Sequence, residues 1–214
     1  MIERKTIHVL RHAQPGKDQE TKRSLDYLTE QGKADAEALG QRLYQGHQGD
    51  LIVRHSPMFR AFQTGARMAE GAKKVPEIIH PSEYLGLEFF TEAANKPSGI
   101  EYGAEFINRL LAENPEIEQR VAQEIRNFVK EAYVTANAHS GHTVVLGTSH
   151  GPKVEIGYGA LMGIPSGEIG QLAAQPLDGF VITVDKNEKS GSILEANVRF
   201  KDLETQKFDT KYLA

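Results

Sequence analysis

The chain of 214 residues contains no cysteine and no tryptophan, and no apolar run in it approaches the length of a membrane span. Without cysteine there is no disulfide, no thiolate metal site and no cysteine nucleophile, and the composition fits a reducing compartment. A bilayer-spanning helix needs about 20 consecutive apolar residues, and the opening MIERKTIHVLRH has charges where a secretory signal has an apolar stretch. A cytoplasmic protein with no membrane partner is therefore expected. Charge of one sign is not in excess either. A formal net charge of -4 gives no reason to expect a nucleic acid partner, so any anion-binding surface must be local. The length favours one domain over residues 1–214, and none of these features bears on oligomeric state.

The chain alternates strand-like and helix-like segments. Thr6 to Leu10 reads as a short buried strand ending at Arg11, and Gln14 to Ser24, with Pro15 and Gly16, reads as a loop. Thr29 caps a helix with Ala36, Leu39 and Leu43 on one face, followed by a strand over Asp50 to Val53. Ser56-Pro57 is a helix start, with Phe59, Phe62, Ala66 and Ala69 as its apolar side. Glu77 to His80 is a third strand, and Pro81 to Gly99 is irregular, the start of an excursion that runs to about residue 113. Glu101 to Glu113 is helical, and the strongest helix begins at Asn114-Pro115 with Ile117, Val121, Ile125, Phe128 and Ala132 on one side. Thr143 to Leu146 shows no alternation, as in a strand covered on both faces; Pro152 to Met162 is helical, and Gly179 to Asp185 with Ser192 to Phe200 forms an antiparallel hairpin. This order predicts a three-layer α/β/α fold with a mostly parallel central sheet.

Gly147-Thr148-Ser149-His150-Gly151 matches the Gly-x-Ser-x-Gly elbow of serine hydrolases. That fold needs a histidine base after the serine on a later loop, and His150, the last histidine in the chain, is its neighbour. The histidine is then the residue of interest. Arg11-His12 stands at the end of the first strand as His150 stands at the end of its own, where open parallel sheets gather their ligands. Arg60, in the first turn of the helix after Ser56-Pro57, has the wrong sign for the helix dipole and calls for an anion. A phosphate meets that need, since helix N-termini offer free N–H groups and guanidinium forks match its oxygens.

These segments together resemble the histidine phosphatase superfamily, the phosphoglycerate-mutase-like proteins. The match runs through Leu10-Arg11-His12-Ala13, Leu28-Thr29-Glu30-Gln31-Gly32, Ser56-Pro57-Met58-Phe59-Arg60-Ala61-Phe62-Gln63-Thr64 and Thr148-Ser149-His150-Gly151, in the family's order. The resemblance implies that His12 is the nucleophile that takes the phosphoryl group. Arg11, Arg60 and His150, with Gly151, bind its oxygens, and flanking cations keep His12 neutral. It implies no metal and no cofactor, because arginines supply the positive charge; His139 and His142 straddle Gly141 and read as a solvated turn.

The family usually adds a carboxylic acid that protonates the leaving oxygen. Glu88 is the first candidate, flanked by aromatics that raise a carboxyl pKa, with Glu83 second and Glu92 third. Two departures stand out. Gln14 replaces a common glutamate, and Lys153, read as pointing to solvent, replaces a small or apolar residue. The lack of tryptophan disfavours a phosphoglycerate mutase. The expected function is phosphomonoester hydrolysis through phospho-His12, on a small phosphorylated metabolite or a phosphoprotein. The alternative is an inert member that binds phosphorylated ligands or partners, with a serine hydrolase a distant third.

Overall fold

A computed structural model describes residues 2–19, 24–44, 49–76, 78–86 and 101–213. In chain order the elements are β1 (Ile2–Arg11), β2 (Pro15–Lys17), β3 (Ser24–Leu28), α1 (Glu30–Tyr44), β4 (Asp50–His55), α2 (Phe59–Gly71) and β5 (Ile78–Pro81). They continue as α3 (Ala104–Glu113), α4 (Pro115–Asn137), β6 (Thr143–Ser149), α5 (Lys153–Met162), α6 (Ser166–Ile169), β7 (Gly179–Asn187), β8 (Ile193–Phe200) and β9 (Gln206–Lys207). The main sheet runs β5-β4-β6-β1-β7-β8-β9. Pairing is parallel from β5 to β1 and antiparallel from β1 to β9.

Alternation along the central strands divides the core. Ile7, Val9, Ile52 and Val145 face α4 and α5, while Leu10, Leu51, Val53, Val144 and Leu146 face α1 and α2. Every residue of β6 is buried, as its unbroken apolar run requires. The α4 stripe is also as expected, with Ile117, Val121, Ile125 and Phe128 all fully buried. The three-layer α/β/α architecture follows, and no helix among the described residues is long and apolar enough to cross a membrane.

Several local expectations are corrected. The segment expected as a loop carries β2, which pairs with β3 through Pro15 opposite Leu28 and Lys17 opposite Ser24. Proline and glycine are tolerated here because a two-stranded ribbon is all edge. In α1 the buried face is Gly32, Ala36, Gly40 and Tyr44, and Leu43 is exposed. In α2 it is Ala61, Thr64, Gly65, Met68 and, as expected, Ala69, while Phe59 is 51% exposed. Glycines set how closely these two helices approach. A Cβ on Gly40 would lie 2.0 Å from the Met68 carbonyl oxygen, and one on Gly71 would lie 1.9 Å from that of Glu37. The helices therefore meet backbone to backbone. Gly40→Ala is expected to destabilise the fold by about 1–3 kcal/mol through overpacking, read as a lower urea midpoint; an unchanged midpoint would show that α1 and α2 separate freely.

Candidate active site

The parallel strands β1, β4 and β6 end side by side, with Arg11 in register with Ser149 and His55 with Thr148. Backbone hydrogen bonds extend this alignment one residue further, from His12 N to Ser149 O at 2.8 Å and from Ser56 N to Thr148 O at 2.9 Å. Three chain reversals thus begin at one level. His12 and His150, far apart in sequence, come together there with ring centroids 5.0 Å apart and planes at 64°. Arg60 is buried in the same site, and Arg11 is half-buried beside it.

The His12 ring is fixed by its Nδ1, which donates to the carbonyl of Ala13 at 2.7 Å. That contact puts the proton of the neutral ring on Nδ1 and leaves the Nε2 lone pair free. Burial drives the His12 pKa down to about 3, and the Arg60 and Arg11 charges push the same way. Desolvation is thus the main cause of neutrality; the Ala13 hydrogen bond opposes it, and the cations add a smaller push in its favour. Ala13 is held in turn by its N–H to Thr64 Oγ1 at 3.0 Å, and that hydroxyl donates to the Arg60 carbonyl at 2.8 Å. Thr64 therefore ties the strand end that carries His12 to the helix that carries Arg60.

His150 Nε2 lies 2.7 Å from Ser56 Oγ, and its buried Nδ1 has no partner among the described residues. Ser56 Oγ accepts from Met58 N at 3.3 Å and still has a proton that it can give to Nε2. With Ser56 as the donor, the neutral ring carries its proton on Nδ1, where it could meet an anionic oxygen. Burial and the neighbouring His12, Arg60, Lys153 and Arg11 all disfavour a second proton on it. Ser56 was expected to cap α2. The helix begins at Phe59 instead, and its cap is the Asp26 carboxylate, which accepts from Phe59 N at 3.2 Å and Arg60 N at 3.5 Å. With those amides taken, an anion would meet the Arg60 guanidinium and not a bare helix terminus. Ser56→Ala is expected to lower kcat about tenfold by freeing the His150 ring, with unchanged thermal stability as the control; full activity would dismiss this tautomer.

Arg60 donates from one NH group to the Leu25 carbonyl at 3.2 Å and from the other to Met58 Sδ at 3.4 Å, and its Nε is buried without a partner. Arg11 Nε is likewise buried and unpaired among the described residues. Both guanidinium charges act on the His12 ring, and unspent guanidinium donors are the kind of group that suits an anionic oxygen.

The remaining expectations divide. Ser149 is fully buried and donates to the Leu85 carbonyl at 2.9 Å, while His150 is engaged with Ser56, so no base serves the serine. Lys153 does not point to solvent: it is 1% exposed, donates to Gly86 O at 2.7 Å and pairs with Glu124 at 2.5 Å. The Glu124 carboxylate on α4 and the Gly86 carbonyl give its ammonium partners inside the fold. Glu83 sits exposed in a short 3-10 turn, whereas Glu88 and Glu92 lie outside the described residues. Gln14 contributes its backbone: its carbonyl accepts from Thr29 N at 3.1 Å, close against Gly32 at the start of α1. Thr29 caps α1 as expected, accepting from Gly32 N at 2.9 Å. His139 bonds to Asp50 at 3.2 Å, and no metal-binding cluster occurs among the described residues.

Asp26, Ser56, Thr64, Tyr102 and Glu155 were not assigned to the site by sequence reasoning. Glu155 had a signal, since it is the one acid among the apolar residues of α5.

The fold has counterparts among known structures. No curated protein sequence matches the chain. Among solved structures, a mycobacterial glucosyl-3-phosphoglycerate phosphatase is 19% identical, with a TM-score of 0.54 over 94% of this chain and 97% of that one. The protein described as mycobacterial hydrolase 2 is 19% identical, with a TM-score of 0.57 over 97% and 92%. A mutant phosphoserine phosphatase from Entamoeba histolytica, in complex with phosphoserine, is 12% identical, with a TM-score of 0.54 over 98% and 100%. At these identities the likeness bears on the fold. The sequence model of the histidine phosphatase superfamily (branch 1) matches residues 7–197, nearly the whole alternating core with both histidine strand ends, and to that superfamily the chain belongs.

Proposed function

We propose that this chain is a phosphatase that hydrolyses phosphomonoesters in two steps through a phosphohistidine on His12, with residues 1–214 acting as one cytoplasmic domain. The observation that carries this reading is the His12 ring, neutral and anchored through Nδ1 with Nε2 free. In the first step the Nε2 lone pair attacks phosphorus as the ester P–O bond breaks. A carboxylic acid, with Glu88 the first candidate, gives its proton to the leaving oxygen. In the second step water attacks the phosphohistidine, the P–N bond breaks, and the same carboxylate takes the water's proton. Arg11, Arg60 and His150 stabilise the equatorial oxygens in both steps, and the charge of the two arginines supplies what a metal supplies elsewhere.

The named activities of two structural relatives, on glucosyl-3-phosphoglycerate and on phosphoserine, support a small phosphorylated metabolite as substrate over a phosphoprotein. The test is to incubate the protein with a radiolabelled phosphomonoester in the presence of a chelator and quench in base, where phosphohistidine survives. Label on His12 that persists in Ser149→Ala is expected. Neither label nor turnover across a broad panel of phosphoesters would leave an inert phospho-ligand binder as the better reading.

A further inference from the structure

Arg11 leaves the end of β1 with its guanidinium held on two sides. One NH group donates to the Ala174 carbonyl, and the planar face lies 4.1 Å from the centroid of the Tyr102 ring. Both of these neighbours lead to one atom. The Tyr102 hydroxyl donates to Glu155 Oε1, and the Ala174 N–H donates to the same oxygen at 2.7 Å. The result is a closed circuit from Arg11 through the tyrosine ring to the carboxyl and back through Ala174. Glu155 is fully buried in α5, the helix that follows His150, and its Oε2 has no partner among the described residues. Burial raises its pKa against the opposing pull of the Tyr102 and Ala174 hydrogen bonds and the Arg11 charge. A carboxyl is a costly occupant of such a position unless its hydrogen bonds do something an apolar side chain does not.

The backbone makes room for this arrangement. A Cβ on Gly151 would lie 2.1 Å from the Tyr102 hydroxyl oxygen, so only glycine after His150 lets the tyrosine reach Glu155. Tyr102 precedes α3 and is free of that helix's register, which is why the ring can turn under Arg11.

We propose that Tyr102 and Glu155 are positioning residues that pre-set the Arg11 guanidinium for a phosphoryl group, with Gly151 providing the space they need. This rests on the reading of Arg11 as a phosphate ligand. The physical gain is preorganisation: a flexible arginine loses rotamer freedom when it grips an anion, and the circuit removes that freedom before the anion arrives. Of the two contacts on Arg11, the cation–π face strengthens with desolvation.

Calorimetric titration of the full chain with orthophosphate tests this. Tyr102→Leu and Glu155→Leu are each expected to weaken phosphate binding roughly tenfold, the scale of a desolvated cation–π contact. Glu155→Gln keeps an oxygen that accepts both hydrogen bonds and is expected to stay within about twofold of the wild type. In an Arg11→Ala background Tyr102→Leu is expected to add nothing, because the residue it serves is gone. Variants that bind phosphate like the wild type while merely melting earlier, or losses that add in full to that of Arg11→Ala, would overturn the positioning role. Should Glu155→Leu fail to fold, Tyr102→Leu and its double variant decide the matter alone. A wild type that binds no phosphate overturns the reading of Arg11 along with it, whereas a binding wild type with unaffected variants overturns the positioning alone.

Discussion

His12→Ala is expected to lower kcat on phosphomonoesters by on the order of 10^4 or more, because removing a nucleophile abolishes the covalent route and leaves only binding and charge. His150 cannot stand in for it, because it is committed through Nε2 to Ser56. Stopped-flow or steady-state assays with an activated aryl phosphate measure the loss, and a decrease of only tenfold would remove His12 from the nucleophile's role. The same substitution has a signature in stability. The His12 pKa falls from 6.5 to about 3 on folding, so between those values the unfolded chain binds a proton that the folded chain refuses. Stability contributed by the neutral ring is therefore complete above 6.5 and is lost as pH falls toward 3, by about 1.4 kcal/mol per pH unit within that window. The alanine variant should melt with a shallower dependence on pH there. His150, whose pKa shifts the same way, keeps part of the acid sensitivity in the variant.

What the sequence made legible were positions whose meaning is set within a few residues. Arg11-His12 and His150 follow apolar runs and so mark strand ends, and parallel strand ends converge whatever the rest of the chain does. Arg60 stood out as a cation at the wrong end of a helix. The stripe of α4 was legible because one large helix face is buried against a sheet. The faces of α1 and α2 were not, because their contact is made by glycines and carbonyls, and hydrophobic patterning is blind to backbone packing. The supporting residues of the site were hidden for a related reason. Tyr102 and Glu155 are separated by 53 residues, and Ser56 and His150 by 94, so neither pairing leaves a local pattern. Lys153 was misread because the Gly86 carbonyl and the Glu124 carboxylate that receive it come from two other parts of the chain.

Arg60→Ala is expected to lower kcat/KM by about 10^2 to 10^3, the scale on which a preorganised donor to a transferring group acts. Arg60→Lys should recover only part of this, since an ammonium cannot replace a fork that grips two oxygens. Stability should move the opposite way to activity. Burial weakens the hold of Arg60 on its charge, and Arg11 adds to that effect, while the Asp26 carboxylate opposes it. The charge is thus held in place at a cost that one carboxylate only partly offsets, as at other sites shaped by function. Without phosphate, the alanine variant is expected to melt at a temperature equal to or above that of the wild type. With phosphate at 100 times its dissociation constant, the wild type gains about 2.7 kcal/mol and the variant gains little. Thermal melts with and without orthophosphate read both effects. A variant that melts well below the wild type in both conditions would show instead that the Arg60 side chain serves the fold, through the charge of Asp26 and the Leu25 carbonyl, and that the anion the site is built around is the protein's own.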